Sequence, residues 1–80
     1  MVQSLARGIE ILSIIQERGS ATIVEVASVL AVEKSTVSRL MATLMHYDMV
    51  SIDPVSKKYR LGFRNLYLSE GAKKISMWLL

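Results

Sequence analysis

Cysteine is absent from the 80 residues, which removes disulfide staples, thiolate metal sites and cysteine nucleophiles and suits a reducing cytoplasm. The single histidine, His46, leaves no His pair for a metal and no catalytic triad. The seven carboxylates do not cluster, so no acid–base constellation forms. Neither an enzyme nor a metal or organic cofactor is expected. No apolar run exceeds four residues, as in Met77 to Leu80, far short of the ~20 needed to cross a bilayer. No membrane partner is therefore expected. The opening Met1-Val2-Gln3-Ser4 has neither the basic start nor the apolar centre of an export signal. A cytoplasmic location is the expectation.

What is present is apolar and helix-patterned. Apolar residues make up 51% of the chain, enough for one modest core and not for two. The net charge of +3 matters less than its placement. Residues 1–33 hold two cations against four carboxylates, residues 34–64 six against two, and the last sixteen two against one. One acidic and one basic half give a directional field, and polyanions are the usual partners of such a basic face.

Along the chain, Leu5, Ile9, Leu12 and Ile15 recur at helical spacing, with Ile11 and Ile14 widening the stripe. The spacing predicts a first helix over 5–18 with a buried face, Ser4 as its N-cap and Gly19 as its left-handed stop. Thr22-Ile23-Val24-Glu25 reads as a capping box. It opens a short helix over 23–30 with Ile23, Val26, Ala27 and Leu30 on one side, although the β-branched residues also admit a strand. From Glu33 to Tyr47 a third helix turns Val37, Leu40, Met41 and Leu44 inward. Its opposite side shows Ser35, Arg39, Ala42 and His46, flanked by Ser38 and Thr43. That side is polar, small and free of carboxylates, and at about 22 Å long it fits a major groove about 12 Å wide.

The alternation in Met49 to Ile52 and again in Tyr59 to Leu61, across a polar turn at Asp53 to Lys58 with the one proline, describes a β-hairpin. Leu68, Ala72, Ile75 and Leu79 then space an amphipathic final helix, softened at Gly71. The predicted fold is mainly α with a small β-hairpin: a winged helix-turn-helix with a three-helix core, a wing and a C-terminal helix. Residues 1–62 form the winged domain and 63–80 a linker or dimerisation helix. Such an arrangement lets the short second helix buttress the third, which is left free to enter the major groove of double-stranded DNA.

The stretch Val2-Gln3-Ser4-Leu5-Ala6-Arg7-Gly8-Ile9-Glu10-Ile11-Leu12, followed by Lys34-Ser35-Thr36-Val37-Ser38-Arg39-Leu40, Asp53-Pro54 and Tyr59-Arg60-Leu61-Gly62, resembles the N-terminal DNA-binding domain of IclR-type transcription regulators. The resemblance spans about residues 2–72. It implies operator binding as a dimer, with Lys34, Ser35, Thr36, Ser38 and Arg39 opening the recognition helix and Lys57 and Lys58 on the wing. Three departures stand out. Ala31 and Asp48 occupy positions where the family usually has glycine, so each turn must either avoid a left-handed conformation or tolerate it at about 1 kcal/mol, less for aspartate. The larger C-terminal effector domain of the family has no counterpart in this chain, so no small-molecule effector is carried over.

Each candidate has a plainer alternative. Arg39 either grips a guanine edge or a phosphate or is a solvated surface arginine. Ser35, Thr36 and Ser38 either contact phosphates or bases or cap the helix, while Lys34 favours phosphate. Thr43 flanks the same side. Lys57 and Lys58 are phosphate contacts or a hydrated turn, and Arg60, like Arg64, faces either DNA or the sheet surface. His46 reads as an exposed residue suited to a helix end, with DNA contact as the alternative. Met41, Met45 and Met49 read as core or packing seam. An exposed Trp78 among Ile75, Leu79 and Leu80 would need cover, from the first helix, a second chain or a missing segment, and a homodimer through the C-terminal helix is the expected answer. The rival function is a winged helix that docks proteins instead of DNA.

Overall fold

A computed structural model describes residues 1–79, and the side chains of residues 1–74. Helix α1 runs Gln3–Arg18, α2 Ile23–Leu30 and α3 Lys34–His46; strands β1 (Val50–Ile52) and β2 (Tyr59–Leu61) form an antiparallel hairpin, and α4 spans Arg64–Leu79. The element order and hairpin are those of a winged helix-turn-helix, as the periodicities predict. The strand alternative for α2 falls: Thr22 Oγ1 accepts from the Glu25 amide at 3.2 Å while Glu25 Oε1 accepts from the Thr22 amide at 3.3 Å, closing the capping box. Two otherwise orphaned donors are thereby satisfied.

The start of α1 departs from expectation. Val2, not Ser4, is the N-cap, and it makes no side-chain cap bond. Its carbonyl accepts from the Ala6 amide at 3.0 Å, so the helical ladder begins two residues early, and on an exposed turn water serves the free amides. Gly19 ends the helix at φ 84°, its N–H donating to the Ile15 carbonyl. The apolar stripe also divides. Ile11 and Ile15 are wholly buried and Leu12 packs beside them, whereas Leu5 and Ile9 remain 64% and 57% exposed. The core lies under the C-terminal half of α1, where α2, α3 and the hairpin converge, and the N-terminal half overhangs it.

That core joins Ile11, Ile15, Val26, Val37 and Met41 with Ala21, Ala27, Val50 and Tyr59. Of the methionine seam, Met41 is buried and Met49 half-buried, but Met45 stands 38% exposed, because it lies toward the outer side of α3.

Both turns lacking glycine adopt the left-handed form. Ala31 sits at φ 55°, and the bonds Ala31 N–H to Ser28 O (3.3 Å) and Val32 N–H to Ala27 O (3.1 Å) close a Schellman motif after α2. Asp48 repeats it at φ 60°, with Asp48 N–H to Met45 O (3.0 Å) and Met49 N–H to Leu44 O (2.8 Å) after α3.

The hairpin pairs Val50 with Leu61, Ser51 with Arg60 and Ile52 with Tyr59. It is also stitched to the helices at a place the periodicity does not reveal. Ala21, between α1 and α2, exchanges both backbone bonds with Tyr59 at 3.0 and 2.8 Å, making a single-residue third strand. Beyond the wing, Gly62 lies so close to the end of α3 that an added Cβ would come within 2.8 Å of the Asp48 carbonyl carbon. The Asn65 side-chain amide then donates to the Met49 and Gly62 carbonyls at 2.8 and 2.9 Å, anchoring the first turn of α4. Helix α4 continues unbroken through Gly71. Apart from Asn65, its residues as far as Lys74 are exposed, Leu66, Tyr67, Leu68 and Ala72 among them. The described part of the predicted apolar face, Leu68 and Ala72, is thus exposed, and Ile75, Trp78, Leu79 and Leu80 lie outside the residues whose side chains are described.

Candidate nucleic-acid interface

Burial of Val37 and Met41, with Leu40 and Leu44 packed on the core, fixes the roll of α3 and turns the opposite side outward. Ser35, Ser38, Arg39, Ala42 and His46 are all exposed there. Lys34 is exposed at the first position of α3, and Thr36 is half-buried at its shoulder. Neither Ser35 nor Thr36 caps the helix, since Glu33 holds that position without a side-chain cap bond. Thr43 is exposed, but its hydroxyl donates to the Arg39 carbonyl at 3.2 Å. Only its oxygen lone pairs remain for an outside donor. His46 meets the Tyr47 ring edge-on at 4.9 Å.

The wing is a tightly bonded turn. The Asp53 carbonyl accepts from Lys57 N–H at 2.8 Å, the Lys58 carbonyl accepts from Asp53 N–H at 2.9 Å, and Asp53 Oδ1 accepts from Val55 N–H at 2.9 Å. The Val55 amide chiefly, then Ser56 and the charge of Arg60, hold the Asp53 carboxyl below its ordinary range. Lys57 takes φ 62°, the third non-glycine residue at positive φ among the described residues and one that the sequence does not signal. Lys57 and Lys58 are exposed at this tip, and Arg60 is exposed opposite Ser51 on the side of the hairpin away from the core.

Among the described residues the ion pairs are Arg18 with Glu25 at 3.4 Å and Lys73 with Glu70 at 3.8 Å. Lys34, Arg39, Lys57, Lys58 and Arg60 take part in neither, so their charges are available to an outside anion. The Glu25 carboxyl is held below its ordinary range by the Thr22 hydroxyl first, then by the Thr22 amide, Arg18 and Lys58. Thr22, Ile23 and Val24 share a shallow cleft with Ile52, Lys57 and Tyr59, so the wing lies near the start of α2. Two neighbours went unseen in the sequence. Leu5, Ile9, Leu12, Leu40 and Leu44 line an apolar groove of about 460 Å³ between α1 and α3, and Asn65 ties α4 to the end of α3. The half-exposed stripe of α1 carries a trace of the first; nothing local in the sequence announces the second.

Comparison with known proteins bears on this geometry. The model of the IclR helix-turn-helix domain matches residues 4–54. An HTH-type transcriptional regulator of Comamonas testosteroni, TsaQ1/TsaQ2, is 38% identical over 77 residues, covering 92% of this chain and 27% of the relative. Among solved structures, an IclR transcriptional regulator of Alicyclobacillus acidocaldarius superposes with a TM-score of 0.85 at 34% identity, over 90% of this chain and 30% of the other. An IclR family regulator of Brucella abortus gives 0.81 at 32% identity, over 90% of this chain and 28% of the other. The chain therefore spans less than a third of the length of these relatives. Because the matched stretch takes in all three core helices, the first strand and the entry to the wing, the chain belongs to the IclR helix-turn-helix family.

Proposed function

We propose that the chain binds double-stranded DNA sequence-specifically, as the reading module of a transcription regulator, with α3 in the major groove and the wing on neighbouring phosphates. The observation that carries this is the outer side of α3: exposed, without a carboxylate from Lys34 to His46, and centred on an Arg39 that has no ion-pair partner among the described residues. Arg39 is the base-reading or phosphate-gripping residue. Lys34, Ser35, Thr36 and Ser38 hold phosphates or base edges where the helix dipole favours an anion. Thr43 acts as an acceptor only. Lys57, Lys58 and Arg60 set register and affinity through the backbone, while sequence information comes from base edges. The reading assigns no catalytic step, and it places the chain in the cytoplasm with its DNA.

In the same reading, residues 1–62 are the DNA-binding unit and 63–80 a linker or dimerisation helix. Two copies joined through α4 present two copies of α3 to half-sites about one helical turn apart. The test is selection of bound duplexes from a random pool, followed by titration of the best sequence. Arg39→Ala should weaken that complex by about 1–3 kcal/mol. Unchanged titration curves would remove Arg39 from the interface, and a pool that yields no preferred duplex at low salt would end the DNA reading.

A further inference from the structure

We infer that Ala42 is a specificity-determining residue, packing its methyl against the C5-methyl of a thymine in the stretch of groove that also takes Arg39. This rests on the DNA-binding reading above. At 100° per residue, Ser35, Arg39, Ala42 and His46 fall within an arc of about 60°. Ala42 lies inside that arc and is exposed, so a groove that admits Arg39 admits it too. Its side chain ends at Cβ and carries no polar atom.

The major-groove edge of a base pair offers hydrogen-bonding groups and one apolar feature, the thymine methyl. Against a polar edge, the Ala42 methyl displaces water and returns no hydrogen bond, which costs affinity. Against the thymine methyl it buries apolar surface on both partners. Met45, 38% exposed on the same flank of α3, extends the apolar strip to one side. Along the axis of α3, Ala42 lies about 4.5 Å beyond Arg39, so the two side chains face neighbouring parts of one groove. The contact reads a methyl and not a thymine as such, so 5-methylcytosine in that place satisfies it as well.

Uracil scanning tests the assignment, since thymine-to-uracil exchange removes that methyl and nothing else. In the duplex selected from the random pool, each thymine is replaced singly by uracil, and each affinity is expressed as a ratio to the parent duplex on the same protein. One thymine per half-site should show about a fourfold loss. In Ala42→Gly that ratio should fall to about one, and Ala42→Ser should lower it as well. Each ratio compares two duplexes on one protein, so any weakening of the helix by glycine cancels. Cytosine at the sensitive position should bind worse than thymine, and 5-methylcytosine should regain part of the loss. A flat uracil scan, or a ratio unmoved by Ala42→Gly, overturns the inference while leaving DNA binding intact. Absence of any selected duplex overturns both.

Discussion

Ala31 occupies the left-handed region at φ 55° with a Cβ that glycine would lack. The Schellman bonds of that turn satisfy the last carbonyls of α2 and bring Val32 back onto the core, so the rest of the fold holds alanine where it costs about 1–2 kcal/mol. Part of that is recovered in Ala31→Gly, against the greater entropy that glycine loses on folding. The variant should be more stable by about 0.5–1 kcal/mol, read as a higher urea midpoint at unchanged slope. Asp48→Gly should gain less, because aspartate visits this region more readily. A lower midpoint for Ala31→Gly would mean that the turn carries no such strain. The sequence exposed both positions, since each stands where the resemblance sets glycine. It did not expose Lys57, whose positive φ follows from the bonding of the wing tip and not from its residue type.

The elements differ in how much of them the sequence reveals. Helix α3 was legible from a period near 3.6 over its full length, and α2 from its capping box, although its β-branched residues left a strand open. Helix α1 was legible as a helix but not in its burial. Its stripe runs from Leu5 to Ile15 without a break, yet the partners that could cover it lie only beside its C-terminal half. The hairpin was legible from its alternation and its proline, while its stitch to Ala21 was not, since a one-residue bridge leaves no periodic signal. Within the candidate site, the outer side of α3 followed directly from the positions its core residues take. The commitment of the Thr43 hydroxyl to Arg39 O is a rotamer choice that spacing does not encode. The wing itself yields a test. Lys57→Ala with Lys58→Ala should lower affinity about equally on all duplexes and flatten the log–log dependence on salt by about two contacts. A loss confined to one sequence would show that the lysines read bases.

At the scale of the whole molecule, two apolar surfaces stand uncovered among the described residues. One is the groove between α1 and α3, rimmed by Leu5 and Ile9; the other is α4, where Leu66 and Tyr67 are both 69% exposed and Leu68 58%. Unpartnered surfaces of this kind mark association. With dimerisation through α4, sedimentation should show a monomer–dimer equilibrium that Tyr67→Glu with Leu68→Glu shifts to monomer, the far-ultraviolet spectrum holding its shape. A chain that stays monomeric over a wide concentration range, or a variant that associates as well as the parent, would count against α4 as the seam. Within one copy, the exchange between Ala21 and Tyr59 has a mechanical meaning. The wing is no free arm on a hinge: its second strand is pinned to Ala21, just ahead of the Thr22 cap of α2, and a short turn at the far end of α2 leads into α3. Strain applied to the lysines at the tip is borne by the helical body, so under the proposed DNA binding wing and helix would meet a duplex as one rigid caliper, with little flexibility left to freeze on contact.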